Sequence, residues 1–304
     1  MGGSPSRPQM VASLNHRDYR ESISGIVSEF EFAFFPQRAV IRAWPTTDEK
    51  ALNNKIIMPA NVTALKLHQG ILYCGLENGT IKCAQWDFRS SSGRLLDDST
   101  DLTGQRGAVK AMWIRGDSLF CGCEEMVRIW DLERKQCYQT LQLPGVRRMK
   151  TICTFMNNLY IGSSNEIRAY DLQANSLLWT TTVHEFTSMV VCQGTLYVGC
   201  RNSPEILCYS LDTGLRCRTL RGHHGGVTAL LAINRRPSGP GADMDSAGTE
   251  LISGSADRRW ARWTFKVFVQ RPGRDKRRQT HLQVEIVTRD RGRVLCVHKE
   301  AVGE

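Results

Sequence analysis

The chain has no apolar run long enough to cross a bilayer. Its longest charge-free apolar stretch, Ser188 to Cys200, contains Thr, Gln and two Gly and falls short of the roughly 20 residues a spanning helix needs. It has 11 cysteines but no CxxC pair, which argues against a finger-type zinc site. It also lacks a GxGxxG after a strand, a Walker loop and an HExxH motif, so no phosphate cradle or metalloprotease site is legible. No nucleophile stands beside a base at a readable spacing, and the expectation is a protein without catalysis, cofactor or metal. The first residues, Met1-Gly2-Gly3-Ser4-Pro5-Ser6-Arg7, have no apolar core of a secretory signal. The thiols therefore read as reduced and the location as cytoplasmic, with the nucleus as a second site. Gly2 with Ser6 fits the myristoylation pattern, a match short enough to arise by chance.

What the chain does have is a folded composition: 304 residues, 41% hydrophobic and 23% charged, too apolar for general disorder. Self-similarity organises it. One phrase recurs: an alternating apolar strand, a strand of pattern Leu-Tyr/Phe-x-Gly, a turn, and a strand ending in an aromatic residue. The copies run Val62–Leu67, Ile71–Gly75 and Ile81–Trp86; Val109–Ile114, Leu119–Gly122 and Val127–Trp130; Met149–Thr154, Leu159–Gly162 and Ile167–Tyr170; Thr187–Cys192, Leu196–Gly199 and Ile206–Tyr209. A weaker copy ends at Trp44 and a later one, opened by Gly222-His223, ends at Trp263. Alternation with period two between turn residues means short antiparallel strands. A four-stranded unit with two apolar faces cannot bury them alone, so such units stack.

The pairs Trp86-Asp87 and Trp130-Asp131, the variant Tyr170-Asp171, and Gly222-His223 resemble the WD-repeat β-propeller family over residues 25 to 266. The resemblance implies an all-β propeller of four-stranded antiparallel sheets. Seven blades are expected, the last drawn from His281 to Val297, with six blades or an incomplete ring as the alternatives. It implies one domain over residues 21–304 behind a tail of residues 1–20, with an inserted loop at 235–248. It gives a structural network to His223, Ser253, Asp257 and Trp263, and a packing role to Trp44, Trp86, Trp130, Tyr170 and Tyr209. Elsewhere the network is incomplete: Gly104-Gln105 replaces Gly-His, Glu124 stands where Asp is expected, and Ser164 and Ser203 fill the same place.

Charge supplies the functional expectation. The net charge is +10, and residues 256–280 hold nine basic side chains against Asp257 and Asp275. Within that run the basic segment 271–279 reads as a solvated stretch, a nuclear-import signal or a contact for nucleic acid or anionic lipid. By the family's topology, the connections between blades and the turns between second and third strands share one face. Arg106, Arg147, Arg148, His184, Phe186, Arg201, Arg221, Arg258 and Arg259 fall there. Several guanidinium groups on one rim suit carboxylate or phosphate. The expected function is a scaffold for protein–protein interactions, a substrate receptor or adaptor for acidic or phosphorylated partners within a multiprotein complex. The alternative is an RNA- or chromatin-associated propeller binding through its basic C-terminal region.

Overall fold

Alternating apolar residues and tight turns produce antiparallel meanders along the whole described chain. The computed structural model describes residues 27–29, 32–45, 55–87, 92–97, 100–105, 107–192, 194–234, 249–257, 260–265, 282–290 and 293–302. The expected tail, the inserted loop 235–248 and the basic segment 271–279 lie outside them. No α-helix occurs among the described residues. The chain divides into two compact units, Met1–Met149 and Lys150–Glu304.

The first unit holds three four-stranded sheets. They are β1 (Val27–Glu29), β2 (Phe32–Gln37), β3 (Val40–Pro45) and β4 (Lys55–Ile57); β5 (Val62–His68), β6 (Ile71–Leu76), β7 (Ile81–Asp87) and β8 (Ser92–Leu95); and β9 (Ala111–Arg115), β10 (Ser118–Cys123), β11 (Met126–Asp131) and β12 (Gln136–Gln142). The second unit holds β13 (Thr151–Phe155), β14 (Asn158–Gly162), β15 (Glu166–Asp171) and β16 (Ser176–Thr182), then β17 (Phe186–Cys192), β18 (Thr195–Cys200), β19 (Ile206–Ser210) and β20 (Arg216–Leu220). Its last sheet has five strands: β21 (Val227–Asn234), β22 (Thr249–Ser255), β23 (Trp260–Phe265), β24 (Leu282–Asp290) and β25 (Arg293–Val302). Each sheet is a meander in chain order.

The segment read as a separate last blade belongs elsewhere. β24 pairs with β23 through Thr264–Gln283 and Phe265–Leu282, and β25 pairs with β24. The hairpin thus supplies the fourth strand of the sixth sheet and adds a fifth. A two-period alternation marks a strand but carries no information about which neighbour it joins.

The burial pattern shows that these sheets stack. Second strands are covered on both faces, as β6, β10 and β18 are buried at every position but the first, whereas outer strands such as β12 alternate exposed and covered positions. A strand buried on both faces needs a layer on each side. The repeated aromatics Trp86, Trp130, Tyr170, Tyr209 and Trp263 are all buried. Trp130 packs in one cluster with Tyr73 and Ile81 of the preceding sheet, Trp263 in one with Val190 and Tyr197, and Trp86 meets Phe34 of the preceding sheet edge-on at 5.0 Å. Trp44 lies in β3, its side chain outside the description.

The glycine of Leu-Tyr-x-Gly now has a physical reason. A Cβ on Gly75 would meet Val109 Cγ1 at 2.5 Å, one on Gly199 would meet Val227 Cγ1 at 2.8 Å, and one on Gly162 would meet the Phe186 ring, with Cε1 at 2.7 Å. In each case an apolar residue opening the next sheet occupies the space a side chain would need. Gly122 faces the sulfur of Met149 in the same way. Gly162→Ala is therefore expected to cost about 1–3 kcal/mol through overpacking against a rigid ring. Gly122→Ala should cost less, because a thioether can swing aside. Chemical denaturation of the two variants checks the order.

The Asp after Trp130 and the one after Tyr170 hold the next turn. Asp131 Oδ1 accepts the Glu133 and Arg134 amides at 3.0 and 2.8 Å, and Asp171 Oδ1 accepts those of Gln173 and Ala174, both at 2.7 Å. Such side-chain capping favours a tight turn. Ser210 Oγ replaces it with longer bonds of 3.3 and 3.4 Å.

Candidate partner-binding surfaces

In a meander of four strands, the turn between the second and third strands and the chain leaving the fourth strand lie at the same end of the sheet. In the first unit the leaving chain after β12 carries Arg147 and Arg148. Val146 and Met149 on either side are buried, so the two arginines form an exposed tip held at both ends. Arg148 has φ 54, a left-handed backbone that turns the tip sharply. The second unit repeats the device: Val183 and Phe186 are buried, His184 and Glu185 are exposed between them, and Glu185 has φ 53.

Main-chain hydrogen bonds lock this end of the second unit. The Val183 amide donates to Asn165 O at 2.8 Å, the Arg201 amide to Glu185 O at 2.8 Å, the Val227 amide to Ser203 O at 3.2 Å and the Ala256 amide to Gly226 O at 2.8 Å. Arg201 is thereby fixed between the connection carrying His184 and the one carrying Arg221 and His224. Gly226 lies so close to Arg201 that a Cβ would fall on the Arg201 carbonyl.

The expected site residues thus separate into groups. Arg147, Arg148, His184 and Arg201 are exposed, and none forms an ion pair among the described residues. Arg221 is exposed, but its Nε is 2.8 Å from Glu205 Oε1, so one face of its guanidinium is occupied. Phe186 is a correction: at 0% exposure its ring fills the space over Gly162. It is a packing residue and offers nothing to a partner. Arg106, Arg258 and Arg259 lie outside the described residues.

Glu185 stands beside His184, and sequence reasoning passed over Glu205; the two set carboxylates among the cations of the second unit. Sequence reasoning also missed Lys150, whose Nζ donates to Phe186 O at 2.6 Å. Nothing in the sequence pointed to Glu205, which stands between Pro204 and Ile206 and meets Arg221 only through the fold.

The sixth sheet carries a polar chain through its core. Trp263 Nε1 donates to Ser253 Oγ at 2.8 Å, Ser253 Oγ lies 2.7 Å from His223 Nε2, and His223 Nδ1 lies 3.1 Å from Asp257 Oδ2. With Trp as pure donor and Asp as pure acceptor, the serine hydroxyl donates to Nε2 and the Nδ1 proton goes to the carboxylate. Asp257 also accepts the His224 amide at 2.9 Å. All four side chains are thus committed to one another. In the connection leading into the third sheet, the Gln105 amide nitrogen donates to Gly79 O at 2.8 Å.

The thiols are placed for packing. Cys121 and Cys123 lie on one face of β10, both at 0% exposure. The Cys121 thiol is raised well above its ordinary pKa by its hydrogen bond with Cys123 and by burial. Burial pushes Cys83, Cys192 and Cys200 up to about 11 and Cys208 up to about 12. Each stays protonated near neutrality, and the thiolate is the reactive form. The described residues contain no cluster of potential metal ligands and no helix long and apolar enough to cross a membrane.

No protein-family model matches the chain, and no curated protein matches it by sequence. Among solved structures it is similar to the crystal structure of the computationally designed Ika8 protein, with a TM-score of 0.55 and 14% identity over 81% of this chain and 84% of that one. At that identity the likeness concerns the fold alone: repeated four-stranded antiparallel sheets of β-propeller-like form.

Proposed function

We propose that the chain is a non-catalytic scaffold of the WD-repeat β-propeller type, whose connection tips bind other proteins through acidic or phosphorylated segments. The observation that carries this reading is the exposed pair Arg147-Arg148, anchored between buried Val146 and Met149. Two adjacent guanidinium groups on a held backbone lose little freedom on binding, and each can grip a carboxylate or phosphate with two parallel hydrogen bonds. His184 and Arg201 offer a second such surface on the other unit, tempered by Glu185 and Glu205. A cytoplasmic or nuclear adaptor or substrate receptor within a larger complex fits these features.

The test is charge reversal. Arg147→Glu with Arg148→Glu should weaken capture of acidic or phosphorylated peptides at least about tenfold while the melting temperature stays within a degree or two, since both side chains are solvent-facing. Unchanged capture in a peptide-array or titration experiment would reject the surface.

Residues 256–280, with net charge +7, favour one competing reading, binding to RNA or chromatin. A log–log fall of affinity with salt steep enough to report several phosphate contacts would support it. Peptide binding that persists at moderate salt supports the scaffold.

A further inference from the structure

Every sheet ends in an outer strand whose far side has no partner among the described residues, and the outer strands are guarded unequally. β4 carries Lys55, β8 carries Arg94 and β20 carries Arg216 and Arg218. β12 is uncharged but follows directly on Glu133-Arg134-Lys135. β16 differs from all of these: from Leu172 to Val183 the chain has no charged residue and no proline. Charge and proline are the usual devices that keep a sheet edge from pairing with another chain.

The strand is also held ready. Trp179 Nε1 donates to Leu211 O at 2.8 Å and Thr181 Oγ1 donates to Gly214 O at 2.5 Å. These two residues pin one face of β16 to the neighbouring sheet. A bulge opposite Tyr170 adds Leu178 as an extra residue: Ala169 pairs with Trp179 and Tyr170 with Leu177. Leu177 and Leu178 stand 51% and 45% exposed at the start of the strand. Thr180 and Thr182 are exposed beyond it, β-branched residues suited to a pleated surface.

We propose that β16 is a self-association edge at which two copies of this chain pair antiparallel about a two-fold axis at Thr180. The occupant follows from charge. A chain of net charge +10 repels its own copy wherever like charges would meet, and directly opposed like charges destabilise a strand pair. At β4, β8 or β20 a self-pair would bring cations together, whereas at β16 it opposes threonine to threonine and sets Thr182 against the second copy's Leu178. A two-fold pair of this kind is closed and self-complementary. The inference is independent of the acidic-partner surface, which lies at the ends of the sheets.

The experiment is sedimentation equilibrium of the full chain over a range of concentrations, for the native sequence and for Thr180→Lys and Thr180→Glu. The native chain should show a concentration-dependent dimer. Each charged variant alone should weaken it at least about tenfold with an unchanged monomer melting temperature, and an equimolar mixture of the two should restore it. A native chain that stays monomeric at every concentration, or a dimer indifferent to both substitutions, overturns the proposal. So does a foreign strand found paired along β16 of a monomeric chain.

Discussion

Gly226→Ala should destabilise the second unit by about 3 kcal/mol or more, at the upper end of what overpacking costs. The obstacle is main chain. An ideal Cβ there lies 3.0 Å from Arg201 Cα and closer still to the Arg201 carbonyl. Neither side can retreat, because Arg201 is held through Glu185 O, and Gly226 O accepts the Ala256 amide. Gly254→Ala is the matched control, a glycine in β22 whose added methyl meets nothing nearer than 3.9 Å; its cost should stay below about 1 kcal/mol. Equal losses for the two in urea denaturation would mean that the Gly226 approach to Arg201 does not govern stability.

The next largest effect belongs to Ser253→Ala. The serine is at 0% exposure and its hydroxyl joins the Trp263 indole to His223. Removing it strands the buried Trp263 N–H and one nitrogen of His223, each a loss of about 1–3 kcal/mol. Some overlap between neighbours brings the expected total to about 2–4 kcal/mol. Calorimetry should show a lowered transition. A loss under about 1 kcal/mol would show that the polar chain is not a structural element.

Much of this was legible in the residues because the buried strands repeat. Leu-Tyr-x-Gly and the aromatic followed by Asp mark second and third strands, where both faces are covered and choice is narrow. The outer strands were harder to read: Ser92–Leu95 and Arg216–Leu220 face solvent and carry no apolar alternation. The hairpin 282–302 was readable as two strands, yet not as part of the sixth sheet, since alternation is silent about neighbours. Phe186 was misread for a related reason. Standing next to His184 and Glu185, it looked like loop. Its equivalents Val109 and Val227 show the same arrangement, an apolar residue opening a copy and packed over a glycine, and only the stacking of sheets reveals why. The exposed arginines were found because charge patterns need no tertiary information.

The most direct test of sheet-on-sheet wedging is a double-mutant cycle on Gly162 and Phe186. Alone, Gly162→Ala meets the ring; in a Phe186→Val background the space is vacant and the added methyl should cost almost nothing. A coupling energy of about 1 kcal/mol or more is the expected result. Strict additivity of the two substitutions would contradict the account.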